Sequence, residues 1–383
     1  MSEKARKNIL VLIGIFEGHI PGILEIVKDL KSIGHNVTCY VLDIFENRLK
    51  QTGAKLITFS KGKFQLPPDA PPIAKKSFLF SNAYDEILSK FLECKEKYDF
   101  LLYDSFFDGK EINKIFKIPT IISVHIFPVG EITPFVKDGF NHRMIPFHNI
   151  NKKYNLNIRE FLTMHYLPNS DYKLILTSKY FHPEMKIFDD TFYFIGPSIE
   201  ERPIDNSFNF KKDEKKKLIY ISLGTTFNNN IEFYKMCIET FKNMKEFQII
   251  MSVGNMINIK DLGDISDNIF VYNFTPQLQI LKETDVFITH GGINSINEAF
   301  FVNKIPLIVI PQQLDQFENA KKIEEVGAGI ALDNKNINEE ILKNSVFEIL
   351  KNNEKYKSRI EAIIKSFKDS REERKKFYEK IFN

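Results

Sequence analysis

Residues 286–298 read Val-Phe-Ile-Thr-His-Gly-Gly-Ile-Asn-Ser-Ile-Asn-Glu. Val286–Thr289 is a short apolar run of the kind that forms a buried strand. Gly291 and Gly292 open a turn, and a helix begins near Ile293. A helix N-terminus offers amide donors without partners in the helix, and a partial positive charge. Asn294 and Ser295 in that first turn suit two roles, capping the helix or touching a ligand. His290 fits either the core or a donor role, and Glu298 either the surface or a ribose. Together, His, Gly-Gly, Asn-Ser and a Glu four residues after Asn294 form a diphosphate cradle with a carboxylate in reach of a sugar. Open α/β sheets place such cradles at the carboxyl ends of their strands, so this stretch points to a parallel sheet.

The flanking sequence agrees. Leu218–Ser222, Gln248–Val253, Ile269–Tyr272 and Leu307–Ile310 are further apolar runs, separated by helical periods at Ile231–Met244, Ile293–Phe301 and Gln316–Val326. The same alternation occupies the first half of the chain. Asn8–Gly14, Asn36–Leu42, Phe100–Tyr103, Thr120–Val124, Tyr172–Thr177 and Phe192–Ile195 read as strands, apolar on both faces as in sheets covered by helices. Pro21–Ile33 reads as the first helix, with Pro21 in its first turn and Gly34 at its end. Between the halves, Glu200–Lys217 is polar, carries Pro203 and the charge run Lys211–Lys217, and reads as a linker. The expected division is residues 1–198, a linker 199–217, residues 218–365, and a final helix 366–383.

The composition sets bounds. A chain of 383 residues with 43% hydrophobic and 27% charged residues is an ordinary globular protein, long enough for two domains. A net charge of +3 argues against general electrostatic binding to nucleic acid. Cys39, Cys94 and Cys237 are far apart and form no C-x-x-C pair, so neither a disulfide framework nor a thiolate zinc site is expected. A reducing cytoplasm fits this best. Lys4, Arg6 and Lys7 before Ile9–Phe16 imitate a signal peptide, but Glu17 and His19 follow at once, and a buried first strand is the better reading. From Lys351 onward, 11 Lys or Arg face 6 Asp or Glu. The segment reads as a solvated amphipathic helix, with weak contact to an anionic membrane as the sharper alternative.

Two more loops follow strands in the second half. Ser222-Leu223-Gly224-Thr225-Thr226 is small enough to approach a phosphate, and Pro311 to Gln316 sets Asp315 and Gln316 where sugar hydroxyls would find acceptors and donors. With these in view, residues 274–316 closely resemble the signature region of the family 1 glycosyltransferases, the UDP-glycosyltransferase superfamily of GT-B fold. The resemblance is carried by Thr275-Pro276-Gln277-Leu278, His290-Gly291-Gly292, Asn294-Ser295, Glu298, Pro306, Pro311, Asp315 and Gln316. The bacterial macrolide glycosyltransferase type is the most similar group. The resemblance implies two Rossmann-like domains facing each other across a cleft, with the last helix crossing back to the N-terminal domain. It implies that Gln277 lies beside the uracil and ribose. Thr225, His290, Gly292, Asn294 and Ser295 would hold the diphosphate, and Glu298 the ribose. Asp315 and Gln316 would hold the donor sugar, with Gln316 similar to glucose users.

Inverting transfer needs a base for the acceptor hydroxyl, and helix amides acting on the diphosphate would make a metal unnecessary. Gly18-His19 follows the first strand, and Asp104 ends the strand from Phe100. The matching Gly-His carries the base in this family, and an Asp orients it. The family's Gly-His-x-x-Pro differs here, since Pro21 follows His19 after one residue and Gly22 comes next. His125, after Thr120–Val124, is a rival base but reads better as a pocket residue. The acceptor site is expected in the first half, lined by Phe78 and Phe80, which follow the Pro-rich loop Lys61–Lys76, by His125, and by Phe127 and Phe140 of the irregular segment Ile126–Phe147. The expected enzyme is a cytoplasmic UDP-dependent hexosyltransferase, monomer or homodimer, without cofactor or metal. It would glycosylate a hydrophobic hydroxylated molecule such as a macrolide or a flavonoid-like phenol. The alternatives are a membrane-surface lipid glycosyltransferase, a UDP-sugar epimerase and a non-catalytic UDP-sugar-binding protein.

Overall fold

A computed structural model describes residues 6–15, 17–60, 72–125, 140–158, 170–182, 188–199, 202, 204–225, 228–312 and 315–382, with side chains from residue 81 in the helix that starts at 72 and from residue 147 in the helix that starts at 140. The chain divides into two compact units. One holds residues 1–177, 184–198 and 370–383, the other residues 178–183 and 199–369.

The first unit is built on seven parallel strands: β1 (Asn8–Leu12), β2 (Asn36–Leu42), β3 (Lys55–Phe59), β4 (Phe100–Asp104), β5 (Thr120–Val124), β6 (Tyr172–Ile175) and β7 (Phe192–Phe194). Their order is β3-β2-β1-β4-β5-β6-β7. Residues of β1, β2, β4 and β5 are buried almost without a break, on both faces, as strands between helix layers must be. Register pairs Leu12 with Tyr40 on one side and with Tyr103 on the other, so the carboxyl ends of β1 and β4 finish together. The strand order reverses between these two, which makes a crevice for ligands there. The helices are α1 (Ile20–Ser32), α2 (Glu46–Lys50), α3 (Pro72–Glu93), α4 (Gly109–Phe116) and α5 (Phe140–Tyr154).

The second unit repeats the plan with β8 (Lys217–Ser222), β9 (Phe247–Ser252), β10 (Ile269–Tyr272), β11 (Val286–Thr289), β12 (Leu307–Val309) and β13 (Gly329–Ala331). The order is β10-β9-β8-β11-β12-β13, again parallel, with the reversal between β8 and β11. Its helices are α6 (Ile231–Phe241), α7 (Gln277–Leu281), α8 (Ile293–Asn303), α9 (Asp315–Glu325) and α10 (Glu339–Lys351), together with the part of α11 (Asn353–Phe382) that precedes residue 370. Both sheets are thus Rossmann-like, with helices between parallel strands.

Three segments differ from the sequence reading. The Pro-rich loop Lys61–Lys76 gives way to helix at Pro72, because proline has no amide to lose at a helix start. Part of the irregular stretch Ile126–Phe147 is helical from Phe140, and Phe147 is core, packed edge-on against Tyr84. The polar stretch before β8 is laid along the second unit. Phe208 and Phe210 pack on Tyr272 and Phe270, and the Asp213 amide donates to Gln248 Oε1 at 2.7 Å.

Helix α11 is continuous, and residues 370–383 belong to the first unit. Ile360, Ile363, Phe367, Phe377 and Phe382 are buried along it. A helix that lies on a membrane presents its apolar face to the lipid, whereas this apolar face is packed inside protein. Among the described residues, no helix is long and apolar enough to cross a membrane. Arg374 ties the end of α11 to α1, donating to Glu25 at 2.6 Å and Asp29 at 3.1 Å. The Arg374 side chain is 10% exposed, and the two carboxylates keep some access to water. Removing one partner of a fully buried pair typically costs 3–5 kcal/mol, and partial exposure lowers that. Arg374→Met, which keeps the stem, is expected to destabilise the protein by about 2 kcal/mol. Urea denaturation reads this as a lower midpoint; an unshifted midpoint would mean that the network contributes nothing.

Candidate functional site

Each unit presents chemistry at the carboxyl ends of its strands. In the first, β1 runs into a short 3₁₀ turn, Glu17–His19, and α1 follows directly. Asp104 is the last residue of β4 and is fully buried. Gly14 lets the strands close up here, because a Cβ on it would stand 2.9 Å from the Asp104 carboxyl. His19 Nδ1 lies 2.9 Å from Asp104 Oδ2 and 3.1 Å from Oδ1. Asp104 also accepts from the Phe106 amide at 2.9 Å. Burial alone would raise the Asp104 pKa, but the charge and hydrogen bond of His19, the nearby His125 and the Phe106 amide bring it below the usual carboxylate value. A carboxylate only accepts, so Nδ1 carries the His19 proton and Nε2 the lone pair.

The His19 ring is clamped on both faces. Phe106 lies against it at 4.4 Å between centroids and His125 stacks on it at 4.3 Å, 24° from parallel. The His125 Nε2 is 3.2 Å from Ser123 Oγ and 3.8 Å from Asp104 Oδ2. Gly22 makes room for this stack. A Cβ there would meet Leu176 at 2.0 Å and His125 at 2.7 Å. The departure from Gly-His-x-x-Pro thus has a local purpose, because the first turn of α1 runs hard against the second imidazole. Phe106 was not legible as a site residue, since nothing in the sequence distinguishes it among 36 phenylalanines.

Among the described residues, His19, Asp104 and His125 form the one group of three side chains that brings potential metal ligands close together.

Burial pushes the His125 imidazole down to about 3, and a protonated His19 would push the same way, against the pull of Asp104. The native ring therefore stays neutral where the unfolded chain takes a proton. Between about pH 6.5 and 3 the unfolded state binds more protons, so stability falls as pH falls through that window. His125→Phe removes this contribution. Its Tm is expected to drop less than that of wild type between pH 7 and 4, and an equal drop would contradict the buried neutral state.

In the second unit, the loops after β8 and β11 meet. A Cβ on Gly224, at φ +78°, would stand 2.6 Å from the His290 ring, and one on Gly292 would stand 2.5 Å from it. Desolvation pushes His290 down to about 4, so near neutral pH it is a neutral imidazole. Thr225 lies exposed beside Gly224. The N-cap of α8 is Gly292, which has no side chain to offer, and Asn294 and Ser295 occupy the first turn. Neither residue is the N-cap. Glu298 is buried one turn further on. Gln277, first residue of α7, donates to Glu298 Oε2 at 2.7 Å and to Ser295 Oγ at 3.3 Å. Tyr220 bonds Thr275 at 2.9 Å and Gln277 Oε1 at 3.4 Å. Asp315 and Gln316 open α9. Asp315 accepts from Asn319 at 3.3 Å, and Gln316 Oε1 accepts from the Gln312 amide at 2.9 Å.

The structure therefore groups Gln277, Ser295 and Glu298 by hydrogen bonds, sets His290 against Gly224 and Gly292, and groups His19 with Asp104 and His125. Phe127 lies outside the described residues, as do the side chains of Phe78, Phe80 and Phe140. Phe274, three residues before Gln277, is 73% exposed. A separate depression of about 460 Å³ lies at the opposite, amino ends of β1–β3, lined by Asn8, Lys31, Asn36, Lys55 and Tyr98. Open sheets bind ligands at the other end.

Residues 219–374 match the glycosyltransferase family 28 C-terminal domain. An uncharacterised UDP-glucosyltransferase of Bacillus subtilis (strain 168) is 29% identical over 94% of this chain and 93% of its own length. The oleandomycin glycosyltransferase of Streptomyces antibioticus is 23% identical over 87% of this chain and 81% of its own. Among solved structures, the kitacinnamycin glycotransferase superposes with a TM-score of 0.77 at 22% identity, covering 96% of both chains.

Proposed function

Because the chain belongs to the family 1 glycosyltransferases, the UDP-glycosyltransferase superfamily with the GT-B fold, we propose that it moves a hexose, glucose first, from a UDP-sugar to a hydroxyl of a hydrophobic small molecule. Transfer inverts the anomeric centre and uses no metal. The observation that carries this reading is the His19–Asp104 pair at the strand-order reversal of the first sheet. A base held at Nδ1 by a buried carboxylate and clamped on both ring faces presents Nε2.

The residues divide the reaction between them. His19 Nε2 takes the proton of the acceptor hydroxyl as its oxygen bonds to the anomeric carbon and the bond to UDP breaks. Asp104 stabilises the imidazolium that results, as in other His–Asp pairs. The first-turn amides of α8 and the neutral His290 donate to the diphosphate, which keeps the leaving group stable as it departs. Glu298 accepts from the ribose hydroxyls, Gln277 sits at the nucleoside, and the exposed Phe274 ring offers a face for the uracil to stack on. Asp315 and Gln316 hold the donor sugar. A relative named for oleandomycin supports a macrolide-like acceptor. The buried apolar face of α11 favours a dissolved acceptor over a membrane lipid.

The test is a mass-spectrometric screen of UDP-glucose with macrolide and phenolic acceptors in excess EDTA. A hexose adduct on at least one acceptor, with release of UDP, is expected. UDP-glucose consumed equally without any acceptor would favour an epimerase or hydrolase instead.

A further inference from the structure

Arg202 lies in the polar stretch between the two sheets, in the part of the chain that belongs to the second unit. Its Nη2 donates to Glu298 Oε1 at 2.8 Å, while Gln277 Nε2 holds the other oxygen, Oε2, at 2.7 Å. The Glu298 side chain is 7% exposed and the Arg202 side chain 44%. Three residues on from Arg202, the Asp205 amide donates to Gln279 Oε1 at 3.2 Å, which pins the strap to α7, the helix that Gln277 opens. The carboxylate is thus fixed from two sides, by an amide from α7 and a guanidinium from the strap.

We propose that Arg202 is a positioning residue of the donor site, which holds Glu298 as an anionic acceptor for the ribose and so sets a preference for ribonucleoside over 2′-deoxyribonucleoside diphosphates. The proposal rests on the reading of Glu298 as the ribose acceptor. A carboxylate has about four lone-pair sites and can accept several donors at once. Hydrogen bonds to an ionised acceptor are roughly twice as strong as neutral ones, and a missing 2′-hydroxyl is felt most where the acceptor is charged. Gln277, which holds the other oxygen, is neutral, while Arg202 brings the opposite charge. A buried carboxylate that loses its counter-charge is costly as an anion and tends to take up a proton. It would then offer a weaker acceptor to the sugar.

Calorimetry with UDP and 2′-deoxy-UDP tests this in wild type, Arg202→Met, Arg202→Lys, Glu298→Gln and the Arg202→Met/Glu298→Gln pair. Wild type is expected to prefer UDP by roughly tenfold or more, the scale of one charged hydrogen bond. Arg202→Met should bring the ratio near one by weakening UDP alone, Arg202→Lys should keep part of it, and the double variant should be no worse than Glu298→Gln. The ratio is internal to each variant, so a general loss of stability cancels. Arg202→Met weakening both nucleotides equally would make Arg202 a plain electrostatic contact and overturn the proposal, as would an unchanged ratio while Glu298→Gln abolishes it. If Glu298→Gln itself leaves the ratio untouched, the ribose reading of Glu298 fails, and the proposal with it.

Discussion

His19→Ala is expected to lower kcat/KM for an aliphatic alcohol acceptor by roughly 10²–10⁴-fold, the range that a positioned general base contributes, and to leave UDP affinity nearly intact. The separation follows from where the residues lie. His19, Asp104, Phe106 and His125 belong to the first unit, and Gln277, His290 and Glu298 to the second. The loss should depend on the acceptor. A phenol of low pKa is already partly ionised and needs less help, so its rate should fall less. Asp104→Asn should cost less than His19→Ala, because it leaves the imidazole in place and removes only its orientation and charge support. His125 does not replace the base in this account. Its ring is neutral, stacked on His19, with Nε2 beside Ser123. Near-wild-type turnover of an aliphatic alcohol by His19→Ala would remove His19 from its role.

Glu298→Ala is expected to weaken UDP binding roughly ten- to a hundredfold, since a hydrogen bond to a charged group is worth about 1.5–3 kcal/mol. The alanine also releases Gln277 and Arg202 from the partner they share, so the loss should exceed that of Glu298→Gln, which keeps the shape. Calorimetry with UDP checks both. Equal affinity in wild type and Glu298→Ala would move the ribose elsewhere. Binding should survive EDTA in all variants, because the donors proposed for the diphosphate are the α8 amides and His290.

Much of this was readable because parallel sheets write themselves plainly. Val286–Thr289, Ile269–Tyr272, Asn36–Leu42 and Thr120–Val124 have the same limits in the structure as in the sequence reading, for strands buried on both faces are unbroken apolar runs. The short edge strands β3 and β13 went unread. Lys55–Phe59 is only partly buried along most of its length, and Gly329–Ala331 is too short to show a pattern. Residues whose role depends on what lies across from them were also illegible. Phe106 matters because it faces His19, and Arg202 because it reaches Glu298 from 96 positions away. Neither belongs to a motif. The glycines were half legible. Gly291 and Gly292 announced a turn, but only the structure shows that Gly22 is small to admit His125.

The anomeric configuration of the product tests the central claim most directly. One base and a leaving diphosphate describe a single displacement, which turns the α-linked glucose of UDP-glucose into a β-glucoside. Proton NMR of the purified product reads the configuration from the coupling at the anomeric carbon. The account predicts the β-glucoside alone; an α-glucoside would contradict direct attack by an acceptor activated at His19.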